Sequence, residues 1–442
     1  MENDSQAFVG IDLGTSFIKI IAMKAANKQI NVIGVGIAQS QGMNKGMVVD
    51  IDQTINDILT AKADLDKKTQ VPVDQVTVGI PTGYLTIEKL VGSFELSKSP
   101  REVNENDLQQ LVGQMLKEHR TSDRDFVGIA VENFSVDNFN GISDPLGMIG
   151  TRLSLKCLVY SIPSTIFRNI LKCVEGAGFK VKNLVLNPVS VAEVALNKAQ
   201  REMGAIVIDA GSGQTSVSIF QNNLLIGNDT IFEGGKNVTN DISKILRISE
   251  KDAESVKIDY GSLKTQQIKN DESFVIKTLD QSKEIKTRDK YLSEIISARF
   301  EQIFEQVKKV LIATHAFDLP GGIMITGGNT ALPGTEKKIS SILDKNVKVY
   351  LPNQIGLRNR IYTVVYGMVI HTWQLPRVQR ILENSLDVNH IKNVQPRIPT
   401  EVEVEQVENL QIDQNSQPKK VKSQKKSGII SSISKWLRNL FE

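Results

Sequence analysis

The sequence has few of the features that mark secreted or membrane-spanning proteins. Its 442 residues include two cysteines, Cys157 and Cys173, which cannot form a disulfide framework and are typical of reduced thiols in a cytosolic protein. The start, MENDSQAFVG, lacks a basic region followed by an apolar run, so we expect no signal peptide. No uninterrupted apolar run approaches the roughly 18 residues of a spanning helix. A membrane contact is therefore expected only at the membrane surface.

The chain also lacks a strong excess of charge of either sign. It carries 53 basic and 50 acidic residues, which gives a formal net charge of +3. Because a global basic excess is missing, we expect no nucleic-acid partner, and an electrostatic partner must bind a local patch. Hydrophobic residues make up 40% of the sequence, enough to bury sizeable cores, and the length fits about two to four domains.

Two similar segments predict an internal duplication. Residues 7–23, AFVGIDLGTSFIKIIAM, have the pattern of a strand, a tight turn and a second strand, and residues 204–220, GAIVIDAGSGQTSVSIF, repeat it. Each turn combines an acidic residue with glycine, and the two turns lie about 200 residues apart. Strands and helices alternate around both segments. The sequence therefore predicts an α/β fold built from two related nucleotide-binding halves.

The surrounding pattern divides the chain further. Short alternating runs between the two halves predict an inserted α+β subdomain, whereas a polar, acidic and then basic stretch late in the chain predicts a disordered linker. The predicted divisions are 1–83 with 163–203 for the first half, 84–162 for the insert, 204–385 for the second half including a helix-rich part at about 232–290, 386–427 for the linker, and 428–442 for an amphipathic helix.

The two turns predict a phosphate site. Glycine and small hydroxyl residues let backbone N–H groups approach an anion closely. Asp12 and Asp209 cannot bind a phosphate themselves but can hold a hydrated Mg²⁺, and Lys19 can supply a positive charge. The other residues predicted here to bind the cofactor are Gly14, Thr15 and Ser16 of the first turn and Gly211, Gly213, Gln214 and Thr215 of the second.

Two later motifs extend this prediction toward the rest of a nucleotide. The run IMITGGNTALPG places Gly327, Gly328 and Asn329 directly after a strand, where a flat base could lie against the backbone. An ordinary strand-to-helix loop would give the same pattern. Glu254 and Lys257 are three residues apart on one helix face and could reach a ribose, although a solvated ion pair is the better interpretation of these two residues taken alone.

Taken together in this order, these elements resemble the actin/Hsp70/sugar-kinase superfamily of ATP-binding proteins. Residues 139–155 (FNGISDPLGMIGTRLSL), 232–243 (FEGGKNVTNDIS) and 294–311 more closely resemble the FtsA family of actin-like bacterial cell-division proteins. This resemblance implies ATP and Mg²⁺ as cofactors, with Gly235 and Lys236 also at the site, and an SHS2-like insert that recruits other division proteins. It further implies a polymer that tethers the tubulin-like protein FtsZ to the cytoplasmic face of the membrane at the septum.

The sequence departs from this family at two positions. The second turn continues as Gly213-Gln214-Thr215-Ser216, where relatives usually carry a carboxylate, and Asn187 precedes Pro188 where relatives often have an acidic residue. An amide can position a water molecule but is a poor general base. We therefore expect ATP binding with weak ATPase activity at most, with Asn187 as the candidate water-positioning residue. Alternatively, Asn187 only caps the following helix.

The last residues, GIISSISKWLRNLFE, predict a membrane-surface helix. Its apolar side chains recur with helical spacing, and five lysines stand just upstream, where they favour anionic lipids. The predicted membrane-facing residues are Ile429, Ile430, Ile433, Trp436, Leu437, Leu440 and Phe441. A helix that docks into a partner's groove is the alternative. For the whole chain, the alternatives to a membrane adaptor are an actin-like ATPase of pilus assembly and a small-molecule kinase of the same superfamily.

Overall fold

The computed structural model describes residues 7–26, 29–69, 73–264, 273–277 and 284–386. The terminal amphipathic helix predicted at 428–442 lies outside these residues, as does the predicted linker from residue 387 onward. Across the described ranges, no helix combines the length and the apolar character that crossing a membrane requires.

The first half begins with antiparallel strands followed by a helix and a parallel strand. Strand β1 has the continuous apolar run expected of a strand buried on both faces, and Asp50 caps the first helix by accepting a hydrogen bond from the Gln53 backbone. The elements are β1 (Ala7–Leu13), β2 (Phe17–Ala26), β3 (Gln29–Gln39), β4 (Met43–Asn44), β5 (Met47–Val48), α1 (Ile51–Asp66) and β6 (Gln75–Ile80).

The insert follows as a four-stranded antiparallel sheet covered by one helix. Its strands bury alternate residues, and its helix begins with a capping box between Asn104 and Asp107, whose carboxylate also binds Arg101 in a bidentate pair. The elements are β7 (Thr86–Glu95), β8 (Arg101–Glu102), α2 (Glu105–Glu118), β9 (Arg124–Val136), β10 (Phe139–Ile142), β11 (Ile149–Gly150) and β12 (Arg152–Pro163). The sheet has the order β10-β9-β12-β7.

The chain then returns to the first half and completes its sheet. The elements are α3 (Ser164–Gly176), β13 (Lys180–Leu186), α4 (Asn187–Ala195) and α5 (Lys198–Met203). The finished sheet has the order β13-β6-β1-β2-β3, in which β13, β6 and β1 run parallel and β2 and β3 are antiparallel to their neighbours.

The second half repeats this plan with additional helices. Its elements are β14 (Ala205–Ala210), β15 (Thr215–Gln221), β16 (Leu224–Ile231), α6 (Gly235–Leu246), α7 (Glu250–Tyr260), β17 (Ser273–Lys277), β18 (Glu284–Arg288), α8 (Asp289–Ala313), β19 (Ile323–Thr326), α9 (Thr335–Leu343), β20 (Val347–Val349), α10 (Thr363–Gln374) and α11 (Arg377–Asn384). Single 3₁₀ turns occupy Ala316–Asp318, Gly328–Ala331 and Arg360–Tyr362.

The two large sheets confirm the predicted duplication. The second has the order β20-β19-β14-β15-β16, and its parallel and antiparallel pairings match those of the first strand for strand. Asp12 pairs in register with Lys19, and Asp209 pairs in register with Ser216. The turns between β1 and β2 and between β14 and β15 therefore occupy equivalent positions in the two halves.

Helices α4 and α10 pack closely between the halves. A Cβ atom at Gly367 of α10 would lie only 1.8 Å from the backbone oxygen of Ser190 in α4, so the contact requires a residue without a side chain. Helix α10 also packs against β1, where Val365, Met368 and Val369 approach Gly10.

Candidate functional site

The two turns meet at a cleft of about 450 Å³ between the halves. We call residues Asp12–Ser16 the first turn and Asp209–Thr215 the second turn. Ser16 Oγ donates to Ser212 Oγ over 2.6 Å, and a Cβ atom at Gly213 would lie 2.6 Å from Thr15 Oγ1. Residues from separate halves thus contact each other at the base of the cleft, and both turns line it.

The two turns share one backbone hydrogen-bond pattern. Gly14 N donates to Phe17 O over 3.2 Å, and Gly211 N donates to Gln214 O over 3.0 Å. A Cβ atom at Gly14 would lie 2.7 Å from Phe17 O, so this tight turn needs glycine. Backbone N–H groups in such turns form a favourable surface for an anion.

Each half contributes one carboxylate to the cleft. The Asp12 carboxylate is buried and accepts a hydrogen bond from Lys19 Nζ over 2.5 Å. The pKa of Asp209 is raised to about 6, mainly by burial and also by the nearby Asp12 charge, while Lys19 opposes the rise. A divalent cation would stabilise both ionised carboxylates.

The donor set fits a weakly coordinated cation. Within the ranges that the structure describes, no group of three or more His, Cys, Asp or Glu side chains could hold a metal ion. Two carboxylates facing an open cleft suit Mg²⁺, which retains several water ligands and binds through one or two carboxylates together with substrate phosphates. Asp12 and Asp209 would hold the ion, and their assignment as its ligands stays a prediction.

The tandem glycines after β19 have different roles. Gly327 has a φ of +100°, and a Cβ atom there would lie 2.4 Å from Ala210 O and 2.6 Å from Asp209 Oδ1. A Cβ atom at Gly328 would only contact Ile361 Cγ2 at 3.4 Å. Gly327 therefore permits the close approach of β19 to the second turn, while Gly328 and Asn329 line the cleft beside it.

The pair Glu254 and Lys257 is not a solvated surface pair. Lys257 is buried, and its Nζ donates to Glu254 Oε2 over 2.7 Å, to Thr239 Oγ1 over 2.9 Å and to Gly235 O over 3.2 Å. The interpretation as a solvated pair is therefore wrong for the lysine. Glu254 keeps its side chain about half exposed at the cleft, where it can accept a hydrogen bond from a hydroxyl group.

Two predicted site residues do not line the cleft. Thr215 is fully buried and donates from Oγ1 to Glu233 O over 3.0 Å. It pairs in register with Ala210, and so it projects to the opposite face of the sheet from Asp209. Lys236 is exposed in the first turn of α6, and only its backbone N–H contacts the second turn, by donating to Ser212 O.

Asn187 lies in the cleft, and the capping interpretation is wrong. Helix α4 begins at Asn187 itself after Leu186, and no side-chain capping hydrogen bond is found at this helix end within the described structure. Asn187 Oδ1 is buried and has no hydrogen-bond partner among the described residues. A Cβ atom at Gly79 would lie 2.6 Å from this oxygen. The side chain can therefore accept a hydrogen bond from a ligand or a water molecule.

A further group of residues from separate elements lines the cleft without having been predicted from the sequence. Arg360 is one of them, and its buried Nε has no partner within the part of the chain that the structure describes. The others that shape the walls include Gly46, Pro81, Ser212, Ile258, Leu332, Pro333, Asn359, Ile361 and Val364. The apolar members form a surface suited to a flat ring, but no local sequence signal links Ile258, Ile361 and Val364 to it. Three of them stood inside quoted motifs, Ser212 in the second turn and Leu332 and Pro333 in the run IMITGGNTALPG, and Gly46 follows Lys45 in a turn.

Comparison with known proteins identifies the family. The family described as "Cell division protein FtsA" matches residues 206–367, and that described as "SHS2 domain inserted in FTSA" matches residues 83–161. The chain is 38% identical to the cell division protein FtsA of Enterococcus hirae over 85% of each chain. The chain belongs to the FtsA family. It is also 32% identical to FtsA of Bacillus subtilis, over 85% of this chain and 86% of that protein.

Solved structures show that this FtsA-family chain has an actin-like fold. The "PilM-PilN type IV pilus biogenesis complex" matches with a TM-score of 0.56 at 13% identity, over 82% of this chain and 98% of that chain. MreB5 of Spiroplasma citri bound to ADP matches with a TM-score of 0.53 at 14% identity, over 86% of this chain and 99% of that chain. The predicted fold, a duplicated actin-like α/β unit with an SHS2 insertion, is confirmed.

Proposed function

We propose that the chain is an ATP-binding, polymerising adaptor that tethers FtsZ to the membrane during cell division. The observation that supports nucleotide binding most directly is the pair of equivalent turns, each with one carboxylate, facing each other across a cleft of about 450 Å³. A triphosphate needs backbone N–H donors and a cation at the same place, and this arrangement provides groups for both.

The walls of the cleft away from the two turns fit the adenine ring and the ribose of ATP. Ile258, Leu332 and Ile361 provide an apolar wall for the adenine ring beside the exposed backbone of Gly328. Glu254 is placed to accept a hydrogen bond from a ribose hydroxyl, and the buried Lys257 fixes the orientation of its carboxylate. Similar MreB5 structures were solved with ADP and with AMPPNP, which agrees with this use of the cleft.

We propose that hydrolysis is slow. Asn187 Oδ1 is free, within the described residues, to hold a water molecule at the cleft, but an amide does not take up a proton in the way a carboxylate does. Ser216 stands opposite Asp209 in register and provides a hydroxyl instead of a second carboxylate. The bound Mg²⁺ would supply charge stabilisation for the phosphates, while the residues of this chain mainly bind and orient the nucleotide.

The adaptor role rests on the family and on the terminal sequence. Residues 428–442 have a continuous apolar stripe, and Lys419, Lys420, Lys422, Lys425 and Lys426 precede them. We propose that this segment binds anionic lipids at the cytoplasmic face of the membrane at the septum, where one weak anchor per subunit becomes a strong one in a polymer of actin-like units. The insert at 84–162 is proposed as the contact module for other division proteins.

Two measurements test this function. Titration with a fluorescent ATP analogue in Mg²⁺ and in excess chelator tests the cleft, and binding should weaken clearly without the cation. Co-sedimentation with protein-free anionic liposomes, with and without residues 428–442 and with and without ATP, tests the anchor. A protein that binds no ATP, or a truncated chain that sediments like the full one, would contradict the respective part. Rapid turnover or phosphoryl transfer to a small acceptor would favour the kinase alternative.

A further inference from the structure

Gln214 lies at the boundary between the cleft and the base of the inserted subdomain. Its backbone belongs to the second turn, and its side chain lines the cleft. The same side chain also lines a separate cavity of about 10 Å³, whose other walls are Lys45, Gly46, Met47, Pro81, Gly83, Tyr84, Ile162 and Ile166. Gln214 thus separates the proposed phosphate site from this small cavity.

The Gln214 amide packs directly on the hairpin formed by β4 and β5. A Cβ atom at Gly46 would lie 2.9 Å from Gln214 Oε1 and 3.2 Å from its Nε2. Gly46 has a φ of +74°, and its N–H donates to Thr15 Oγ1 of the first turn over 3.2 Å. A displacement of the Gln214 amide would therefore act on a hairpin that is also bonded to the first turn.

The other wall of the small cavity belongs to the connections of the insert. Gly83 and Tyr84 lead into β7, and a Cβ atom at Gly83 would lie 3.6 Å from Gln214 Oε1. The chain leaves the insert through Ile162, near the end of β12. Both connections also contact the second half, since the Tyr84 ring lies 5.2 Å from the Phe232 ring and Tyr160 Oη donates to Leu225 O over 3.0 Å.

The amide oxygen of Gln214 has an unfavourable environment in this arrangement. Gln214 Oε1 is buried and lacks a hydrogen-bond partner within the described ranges. A buried polar atom of this kind is unfavourable, so a position of the amide that forms more hydrogen bonds can compete with the present one. The amide also carries two N–H donors, which suit a phosphate oxygen. An anion in the cleft is therefore able to draw the amide away from Gly46 and Gly83.

We propose that Gln214 is a positioning residue that responds to the terminal phosphate of a nucleoside triphosphate and transmits its presence to the inserted subdomain. The inference rests on the nucleotide binding proposed above. A diphosphate lacks the terminal oxygens, so it leaves the amide packed on Gly46 and Gly83. A triphosphate moves the amide toward the cleft and releases both connections of the insert.

Hydrogen–deuterium exchange on the full chain tests this inference. The protein is compared with Mg²⁺ and AMPPNP, with Mg²⁺ and ADP, and without nucleotide, and exchange is followed at residues 83–90 and 160–166. We expect a difference between AMPPNP and ADP at both connections of the insert. In Gln214→Leu the difference should disappear, and the ratio of AMPPNP to ADP affinity should fall about tenfold, since the hydrogen bond to a charged oxygen is lost.

A matched variant controls for the general effect of removing a buried amide. Gln221→Leu changes the same residue type at the far end of β15, where Oε1 is also buried without a partner in the described chain but the side chain does not line the cleft. It should keep the exchange difference and the affinity ratio. Gln214→Asn keeps the amide but is shorter, so it should lose the exchange difference, and it decides the test if circular dichroism shows that Gln214→Leu is unfolded.

The outcomes separate this inference from the proposed function. If the unaltered protein binds both nucleotides with the same exchange at both connections, or if the folded Gln214 variants keep the difference, the inference is overturned while nucleotide binding stands. If the unaltered protein binds neither nucleotide, the proposed function itself fails. A loss of the difference in Gln221→Leu as well would show a general effect of the lost amide and would also overturn the inference.

Discussion

Replacing Gly327 by alanine should destabilise the protein and disturb the cleft at once. Gly327 has φ +100° and ψ 155°, a region that only glycine adopts readily, and strain there costs about 1–3 kcal/mol for another residue. The new Cβ would also lie 2.4 Å from Ala210 O and 2.6 Å from Asp209 Oδ1. Overpacking of this kind costs about 1–3 kcal/mol. The free energy of unfolding should therefore fall by about 2–6 kcal/mol, a large share of the roughly 5–15 kcal/mol typical of proteins.

The same clash has a specific consequence for binding. It displaces the Asp209 carboxylate, so the Mg²⁺-dependent part of ATP affinity should fall by tenfold or more in the protein that remains folded. Urea unfolding followed by circular dichroism gives the stability, and titration with a fluorescent ATP analogue with and without chelator gives the binding. Gly328→Ala is the matched control, because its Cβ makes only a 3.4 Å contact with Ile361. Equal stability of the two variants, or a Gly327→Ala protein that binds ATP like the unaltered one, would refute this reasoning.

Further predictions concern a helix contact, the insert, the ribose site and the tail. Gly367→Ala should lower the free energy of unfolding by about 1–3 kcal/mol, measured in urea, because its Cβ would overlap the Ser190 backbone oxygen of α4. The hydrogen bonds from Arg101 lower the pKa of Asp107 in the folded protein. The stabilisation from this pair is therefore present above the ordinary pKa of 3.8 and is lost as pH falls through the lower folded value. Thermal unfolding of Arg101→Met should show a smaller loss of stability on acidification than the unaltered protein shows. Lys257→Met should weaken ATP binding about tenfold in titration, since Glu254 loses the ammonium that orients it; unchanged affinity would remove Glu254 from the site. Trp436→Glu should reduce co-sedimentation with anionic liposomes at least tenfold while ATP binding persists.

The fold could be predicted from sequence because its signals are local. The apolar runs of β1 and β14 are long enough to be strands buried on both faces, and each ends at an acidic residue and a glycine. Once the two runs are compared, the duplication follows, and with it the opposition of Asp12 and Asp209. The insert was detectable because its strands alternate buried and exposed residues instead, as β9 does.

The site was predicted less completely, for two physical reasons. Thr215 was assigned to the cleft because it belongs to the turn motif, but the period of two along a strand places it on the opposite face from Ser216 and Asp209. The apolar wall was missed because Ile258, Leu332 and Ile361 come from three separate elements, which only the tertiary fold brings together. The first error could have been avoided by applying strand periodicity to the motif, whereas the second could not.

The duplicated halves have the same backbone plan but different charges, and this difference gives the cleft a direction. Lys19 pairs with Asp12 in register and compensates its charge, whereas Ser216 occupies the equivalent position opposite Asp209 and brings no charge. The ammonium of Lys19 also remains close enough to lower the pKa of Asp209, but burial and the Asp12 carboxylate outweigh it. A cation in the cleft would therefore be attracted more strongly by the Asp209 carboxylate than by the Asp12 carboxylate, whose charge Lys19 compensates. Gly327 also lets the loop after β19 approach Asp209 closely, so Asp209, this loop and the apolar residues Ile258, Leu332 and Ile361 all belong to the second half, whereas Lys19 belongs to the first. The two halves therefore present different charges at equivalent positions, and a nucleotide with charged phosphates at one end and an apolar base at the other distinguishes one half from the other.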